Sequence, residues 1–372
     1  MVKVVYNSFN GRYADNPRAV YEGLRRLRPG LEHVWLADPR HAAGFPADAP
    51  TVPIRSDAAV AALESADVLV ANCHTDLDRW TKQPGQVYLQ TWHGTPLKRI
   101  HRSALSQPDA ALMDALDDEI SRWDHLISPS PAATTLLRSA FGYRGSVLET
   151  GYPRNDQLTG PGVDARRARA RARLGLADGV RVVLWAPTYR DDDVDAADVP
   201  DGLDAAALAD RLGPDTVVLL RRHYYLGHRP AFAGHPRVRD LSSHPDIGEL
   251  HLAADVLVTD YSSSVFDFVV TGRPVVVYAY DLEHFRDRLR GFTLDLETEL
   301  PGPVVQDQDV LGDVLAELPG MQAAWAERYA AFRQRFCALE DGRATARVVE
   351  ALWPADASAQ RTRSTRFSSQ TG

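Results

Sequence analysis

The chain has 372 residues, with 42 Lys+Arg against 50 Asp+Glu and a formal net charge of -8. Hydrophobic residues make up 44% and charged residues 25%, a balance that excludes a disordered chain and argues against a general nucleic-acid binder. That length suits two domains, each large enough to bury its own core. The strands expected in chain order begin at 2–6, 33–36, 67–71, 86–91, 126–128 and 146–150, with helical patterns between them such as 17–27, where Val20, Leu24 and Leu27 share a face. A second series follows at 181–186, 216–220, 238–241, 255–259 and 274–278. Beyond 302 the pattern reads as wholly helical, at 310–318, 321–336 and 342–352, and the tail 354–372 is expected to be disordered.

Strand–helix alternation of this kind calls for parallel sheets covered by helices on both faces. The expected fold is therefore α/β, with two Rossmann-like doubly wound domains facing a central cleft: residues 1–160, then 161–353 with its closing helices. Between them lies 165–173, Ala-Arg-Arg-Ala-Arg-Ala-Arg-Ala-Arg, read as a solvated surface helix ending at Gly175. No run approaches the ~18 apolar residues of a membrane span, and the start lacks the apolar core of a signal peptide. Any membrane contact is expected to be peripheral, through this helix or the Arg-containing tail. The two cysteines, Cys73 and Cys337, define neither a disulfide framework nor a zinc site and fit a reducing, cytoplasmic setting. Lys3, Lys82 and Lys98 are the only lysines, as expected of a GC-rich genome.

Ligands of doubly wound sheets bind outside the carboxyl ends of the strands, so the chemistry belongs just after each strand. After 86–91 come His93, Gly94, Thr95 and Lys98. His93 suits a general base, Gly94 allows close approach to the backbone, and Lys98 is expected one helical turn on. By residue type alone, general base and core histidine remain open for His93. After 216–220 come Arg221, Arg222 and His223, an anion site by charge and donor count. After 255–259, Ser262, Ser263 and Ser264 open a helix in a way that suits a phosphate, and Asp267 is either a ribose-hydroxyl ligand or a solvated helix acid. Thr188 and Arg190 end the strand 181–186 at the same mouth. The acidic run Asp191–Asp193 with Asp195 lacks partner ligands at fixed spacing, so a solvated loop is favoured over a Mg²⁺ site. There is no G-x-G-x-x-G, P-loop, G-x-S-x-G or H-E-x-x-H motif, which disfavours dehydrogenases, P-loop kinases, α/β-hydrolases and zinc proteases.

Taken together, these motifs resemble the CDP-glycerol glycerophosphotransferase family, teichoic-acid primases and polymerases of GT-B architecture. The resemblance rests on 7–18 (Asn-Ser-Phe-Asn-Gly-Arg-Tyr-Ala-Asp-Asn-Pro-Arg), on Thr91 through Lys98, and on 150–156 (Thr-Gly-Tyr-Pro-Arg-Asn-Asp). It continues through 186–190, 221–223, 246–250, 259–267, 290–292 with 301–303, and 341–347. It implies transfer of glycerol phosphate from CDP-glycerol to a hydroxyl of a lipid-linked teichoic-acid-like or capsular polymer, with release of CMP. It further implies that His93 is the base, that His223 with Arg221 stabilises the diphosphate and leaving CMP, and that Ser262 and Ser263 hold donor phosphates. Fixed cations would then replace Mg²⁺, so no metal or other cofactor is expected. The chain departs from the family at 99–103 (Arg-Ile-His-Arg-Ser) and at Tyr224, which leaves CDP-ribitol and the acceptor's identity open. The competing enzyme is a GT-B glycosyltransferase or epimerase using a nucleotide sugar. The competing non-enzyme is an inactive nucleotide- or lipid-carrier-binding protein.

Overall fold

A computed structural model describes residues 1–75, 79–105, 110–190, 202–222 and 234–354. The expected tail, His223, Tyr224 and the acidic run at 191–195 lie outside these described residues.

The first sheet contains β1 (Lys3–Asn7), β2 (Glu32–Ala37), β3 (Thr51–Pro53), β4 (Val68–Ala71), β5 (Val87–Gln90), β6 (His125–Ser128) and β7 (Ser146–Glu149), in the order β3-β2-β1-β4-β5-β6-β7. Every pairing in it is parallel. Alternation along each strand sends side chains to opposite faces: Val5, Leu36 and Leu69 join one buried cluster, while Val4, Tyr6, Trp35 and Val70 join the other. The second sheet contains β8 (Arg181–Ala186), β9 (Thr216–Leu220), β10 (Val238–Asp240), β11 (Val256–Thr259), β12 (Val275–Tyr278) and β13 (Val304–Val305), in the order β10-β9-β8-β11-β12-β13. It too is parallel throughout. The order reverses between β1 and β4 in one sheet and between β8 and β11 in the other. Those are the switch points where a doubly wound sheet opens a ligand crevice.

Two strands were not anticipated. β3 and β13 are sheet edges of three and two residues, too short to show periodicity, and β13 exists through pairing of Val304 and Val305 with Val277 and Tyr278. The region beyond 302 is therefore not wholly helical. The arginine-rich helix Val163–Arg173 also differs from a simple solvated helix. Arg167 donates to the carbonyls of Leu252 and Ala254, each at 2.8 Å, and Arg171 donates to that of Ala253 at 3.0 Å. These carbonyls lie at the end of the helix Ile247–Ala253, where no intrahelical donor reaches them, and the guanidiniums, with Arg273 on the Leu252 and Ala254 carbonyls as well, supply the donors.

After the second sheet the chain crosses back. The helix Ala344–Leu352 places Val348 and Val349 in the core of the first sheet, against Val20, Tyr21 and Leu24 of the helix Asp15–Leu27. The two helices meet at Gly23, where a Cβ would lie 2.2 Å from Thr345 Cγ2. Thr345 is β-branched and stiff at χ1, so added volume forces the helices apart. Gly23→Ala should lower stability by about 1 kcal/mol net, overpacking outweighing the gain in helix propensity. In a Thr345→Ser background the same change should be neutral or stabilising. Urea unfolding midpoints of the four variants check this sign reversal.

Candidate active site

The two switch points face one another across a cleft of about 1500 Å³ lined by both halves of the chain. His93, Gly94, Lys98, Thr188, Arg221, Ser262 and Ser263 all border it.

His93 is placed by the turn after β5. Trp92 holds a left-handed φ of +49°, an uncommon conformation for a bulky residue. Its N–H donates to Gln90 Oε1 at 2.8 Å, and its carbonyl accepts from Asn16 Nδ2 at 3.1 Å. The Trp92 ring stacks on the His93 imidazole with centroids 4.2 Å apart. His93 Nδ1 lies 2.6 Å from the Asn72 carbonyl just beyond β4. A carbonyl only accepts, so Nδ1 carries the proton and Nε2 keeps its lone pair, the tautomer required of a base. Burial lowers the imidazole's pKa from its ordinary value, outweighing the Asn72 bond and the Asp15 charge, both of which favour protonation. His93 is thus held neutral and oriented.

Gly94 follows with φ +148°, and a Cβ there would come 2.7 Å from Ser263 Oγ. The two halves touch at this point because the residue has no side chain. The following segment is not helical, so Lys98 is not one helical turn beyond His93. It pairs antiparallel with Phe292 of the second half, Thr293 N donates to the Leu97 carbonyl at 2.9 Å, and Arg99 N donates to that of Gly291 at 3.2 Å. Leu97 is buried in the second half's core with Tyr261, Val265 and Phe285. Thr95 also lines the cleft but is fully buried, with its hydroxyl 3.3 Å from that of Tyr152, a contact that supports the loop.

Beneath this contact Arg154 links the halves. Its Nη1 donates to both oxygens of Asp15 at 3.1 Å, and its Nη2 to both oxygens of Asp267 at 2.9 and 3.0 Å. Burial opposes its charge, but Asp15 and Asp267 outweigh that and keep it ionised. Asn155 adds a 2.9 Å bond to Asp267. Both Asp267 oxygens are thereby engaged within the protein, so Asp267 is not a solvated acid, and it borders the cleft from this buried position. Arg190 is similarly committed. Only 4% of it is exposed, and it is held by Asp260 at 2.8 Å and by Asp281 at 2.7 and 2.8 Å. The rings of Tyr261, Tyr280 and Phe285 surround it. It anchors the loops after β8 and β11 and is not among the residues bordering the cleft, so the expected donor contact is not available to it. Thr188 borders the cleft with its N–H on Asp260 at 2.8 Å and its hydroxyl buried without a hydrogen-bond partner among the described residues. Ser263 begins the helix Ser264–Val269 without capping it through its side chain, and Ser262 Oγ accepts from Ser264 N at 3.3 Å.

Arg221 leaves β9 with its guanidinium on the carbonyls of Leu241, at 3.1 Å, and Ser242. Burial, with the nearby Arg12 charge, lowers its pKa to about 10. Arg222 also borders the cleft and pairs with Asp240. Residue-type reasoning missed Arg154 and the Asn72 carbonyl. The former lay in view inside the matched segment at 150–156, but its role depends on acids at 15 and 267. The latter leaves no trace in the sequence. Two further histidines border the cleft behind Trp92: His74 and His101, with Nε2 atoms 3.4 Å apart. Burial, followed by repulsion from neighbouring histidines, depresses them to about 3 and about 4 respectively. Among the described residues no three His, Cys, Asp or Glu side chains gather as a metal site.

The chain matches the family CDP-Glycerol:Poly(glycerophosphate) glycerophosphotransferase over residues 2–354. It is 37% identical to the teichoic acid glycerol-phosphate transferase of Staphylococcus aureus (strain NCTC 8325 / PS 47), covering 94% of this chain and 92% of that protein. It is 34% identical to the teichoic acid poly(glycerol phosphate) polymerase of Bacillus subtilis (strain 168), covering 95% of this chain but 49% of the polymerase. Among solved structures, the wall teichoic acid polymerase TagF superposes with a TM-score of 0.86 at 34% identity, covering 94% of this chain and 88% of that one. Sucrose-phosphate synthase from Thermosynechococcus elongatus, at 17% identity and a TM-score of 0.52, shares the fold alone.

Gly94→Ala should strain the backbone at φ +148° and press the new methyl on the Ser263 side chain and Arg154, at a local cost of about 1–3 kcal/mol that the fold should survive. It should cut turnover by at least about tenfold, since displacing the His93 loop by a fraction of an ångström spoils alignment. Circular dichroism alongside steady-state rates checks both halves of this expectation.

Proposed function

The chain belongs to the CDP-glycerol:poly(glycerophosphate) glycerophosphotransferase family, and on that premise we propose that it moves glycerol phosphate from CDP-glycerol to a hydroxyl of a polymer acceptor, releasing CMP. The observation that carries the reading is His93: a neutral imidazole, its Nδ1 proton fixed on Asn72, at the edge of a cleft formed by two switch points. His93 Nε2 takes the proton of the acceptor hydroxyl as that oxygen attacks the phosphorus bearing glycerol. The bond from this phosphorus to the bridging oxygen breaks, and CMP leaves with the electron pair. The proton then passes from His93 to solvent.

Phosphoryl transfer of this kind depends on alignment and on positive charge at the phosphate oxygens. Arg221, Thr188, Ser262 and Ser263 are assigned to the donor, and Gly94 and Lys98 to the acceptor side. His223, outside the described residues, is assigned to the diphosphate with Arg221. In this reading residues 1–160 form the acceptor-side half and 161–353 the donor half, whose last helix buttresses the first sheet. Stabilisation by these cations in place of a metal is part of the proposal, and turnover should persist in EDTA. The acceptor is taken as lipid-linked and approached from a membrane surface; no helix among the described residues is long and apolar enough to cross one. The nucleotide-sugar alternative draws on fold likeness alone, whereas the glycerophosphate reading draws on a match along nearly the whole chain.

His93→Ala should reduce CMP release from CDP-glycerol by at least about 100-fold with the fold unchanged, the usual scale for removing a general base. The wild-type pH profile supplies a second check. The working form is the neutral imidazole, and its pKa is lowered, so kcat/KM should be level near neutrality and fall only below about pH 6.5, the ordinary imidazole value. Turnover of a UDP-sugar but not CDP-glycerol would refute the assignment.

A further inference from the structure

Beyond β1 the chain runs through three successive residues of left-handed backbone: Phe9 at φ +44°, Asn10 at +54° and Gly11 at +102°. Glycine adopts such angles freely and asparagine tolerates them, but a phenylalanine there is strained. The turn is gripped from just beyond β4, on the other side of the first switch point. Asn72 Oδ1 accepts from Phe9 N at 2.9 Å, and Cys73 Sγ donates to Asn10 Oδ1 at 3.7 Å. Asn72 is fully buried, and its own carbonyl is the group that holds His93 Nδ1. One residue therefore fixes both the proposed base and the backbone of Phe9.

The result is an aromatic ring beside the imidazole. The centroids of Phe9 and His93 lie 5.4 Å apart, with planes at 54°. Trp92, the other ring against His93, is buried and packed on Phe141, whereas Phe9 is half-buried at the border of the cleft. A bulky residue kept at an angle where glycine would cost the fold less is strain of the kind that functional sites retain. Its placement indicates the ligand. With Nδ1 committed to Asn72, an attacking hydroxyl must meet His93 Nε2. The serines assigned to the donor approach from the second half, where Ser263 faces Gly94. Phe9 belongs to the first half, to which the acceptor is assigned. An aromatic ring there offers an apolar surface on which the CH groups of a polyol are removed from water.

We propose that Phe9 is an acceptor-binding residue: its ring is the wall on which the carbon skeleton of the acceptor's terminal polyol rests while a hydroxyl of that polyol meets His93 Nε2. This rests on the glycerophosphate-transfer reading.

The experiment measures kcat and KM for CDP-glycerol and for a short poly(glycerol phosphate) acceptor, with calorimetric binding of CDP alongside. It compares wild type with two ringless variants, Phe9→Ala and Phe9→Gly, the latter free of the backbone strain, and with Phe9→Leu. Both ringless variants should raise the acceptor KM about tenfold, the scale of one lost apolar contact. Their CDP affinity and CDP-glycerol KM should stay within twofold of wild type. Phe9→Leu, which keeps an apolar wall, should recover part of the loss. An acceptor KM within twofold of wild type in a ringless variant would overturn the proposal, and a loss confined to kcat would do so by reducing Phe9 to packing for His93. A rise in Phe9→Leu equal to that in Phe9→Ala would also overturn it, as would a parallel fall in CDP affinity, which would put the ring on the donor. Failure of the wild type itself to release CMP from CDP-glycerol would instead refute the underlying reaction.

Discussion

Arg154 lies between two carboxylates that come from different sheets, Asp15 at the start of the first long helix and Asp267 behind the serines that follow β11. All three side chains are at least nine-tenths buried. Desolvating a charge costs several kcal/mol, so such a group persists only where its partners are fixed. Arg154 satisfies that by forked contacts to both acids, and its backbone N–H is held by Asn16 Oδ1 at 3.1 Å. The other hand of Asn16 grips the Trp92 carbonyl. One polar network therefore runs from the second half's helix tip, through Arg154 and Asn16, to the residue before His93. Removing a single partner would leave a buried charge uncompensated, at a cost of about 3–5 kcal/mol.

This network explains why His93, the proposed base, sits in a strained turn beside a glycine. His93 must face the cleft while its Nδ1 reaches the Asn72 carbonyl, and Gly94 must let the loop pass Ser263 at contact distance. Leu97 then plugs into the second half's core and the strap to Phe292 closes the seam. Apolar burial and backbone pairing hold the halves together around the network. The cations of the cleft divide accordingly: Arg154, Arg190 and Arg222 are neutralised by acids and build the walls. Arg221 rests instead on the Leu241 and Ser242 carbonyls, and the proposed reading assigns it to a ligand's charge.

Much of this was legible in the sequence. Strand–helix alternation gave both sheets, because buried parallel strands are short continuous apolar runs, and only the edge strands β3 and β13 escaped. The position of His93 after β5 placed it at the cleft, and the order of motifs named the family. Ion pairing between distant segments was not legible. Nothing local distinguishes Arg190, walled in by Asp260 and Asp281, from Arg221, and nothing near 267 announces Arg154. The lysines illustrate the same limit: Lys82 is a staple to Asp124 at 2.6 Å and Lys3 reaches Ser65 at 2.8 Å, partners 42 and 62 positions away.

The central claim is that the Arg154 network sets the base against the donor, so that its geometry acts on chemistry more than on donor binding. The most direct measurement is kcat and KM for CDP-glycerol in Arg154→Lys, at a temperature where circular dichroism shows the variant folded. A lysine keeps the charge but cannot fork to Asp15 and Asp267 together. The account predicts a kcat lowered by at least about tenfold with KM within a few-fold of wild type. An unchanged kcat, or a loss confined to KM, would contradict it.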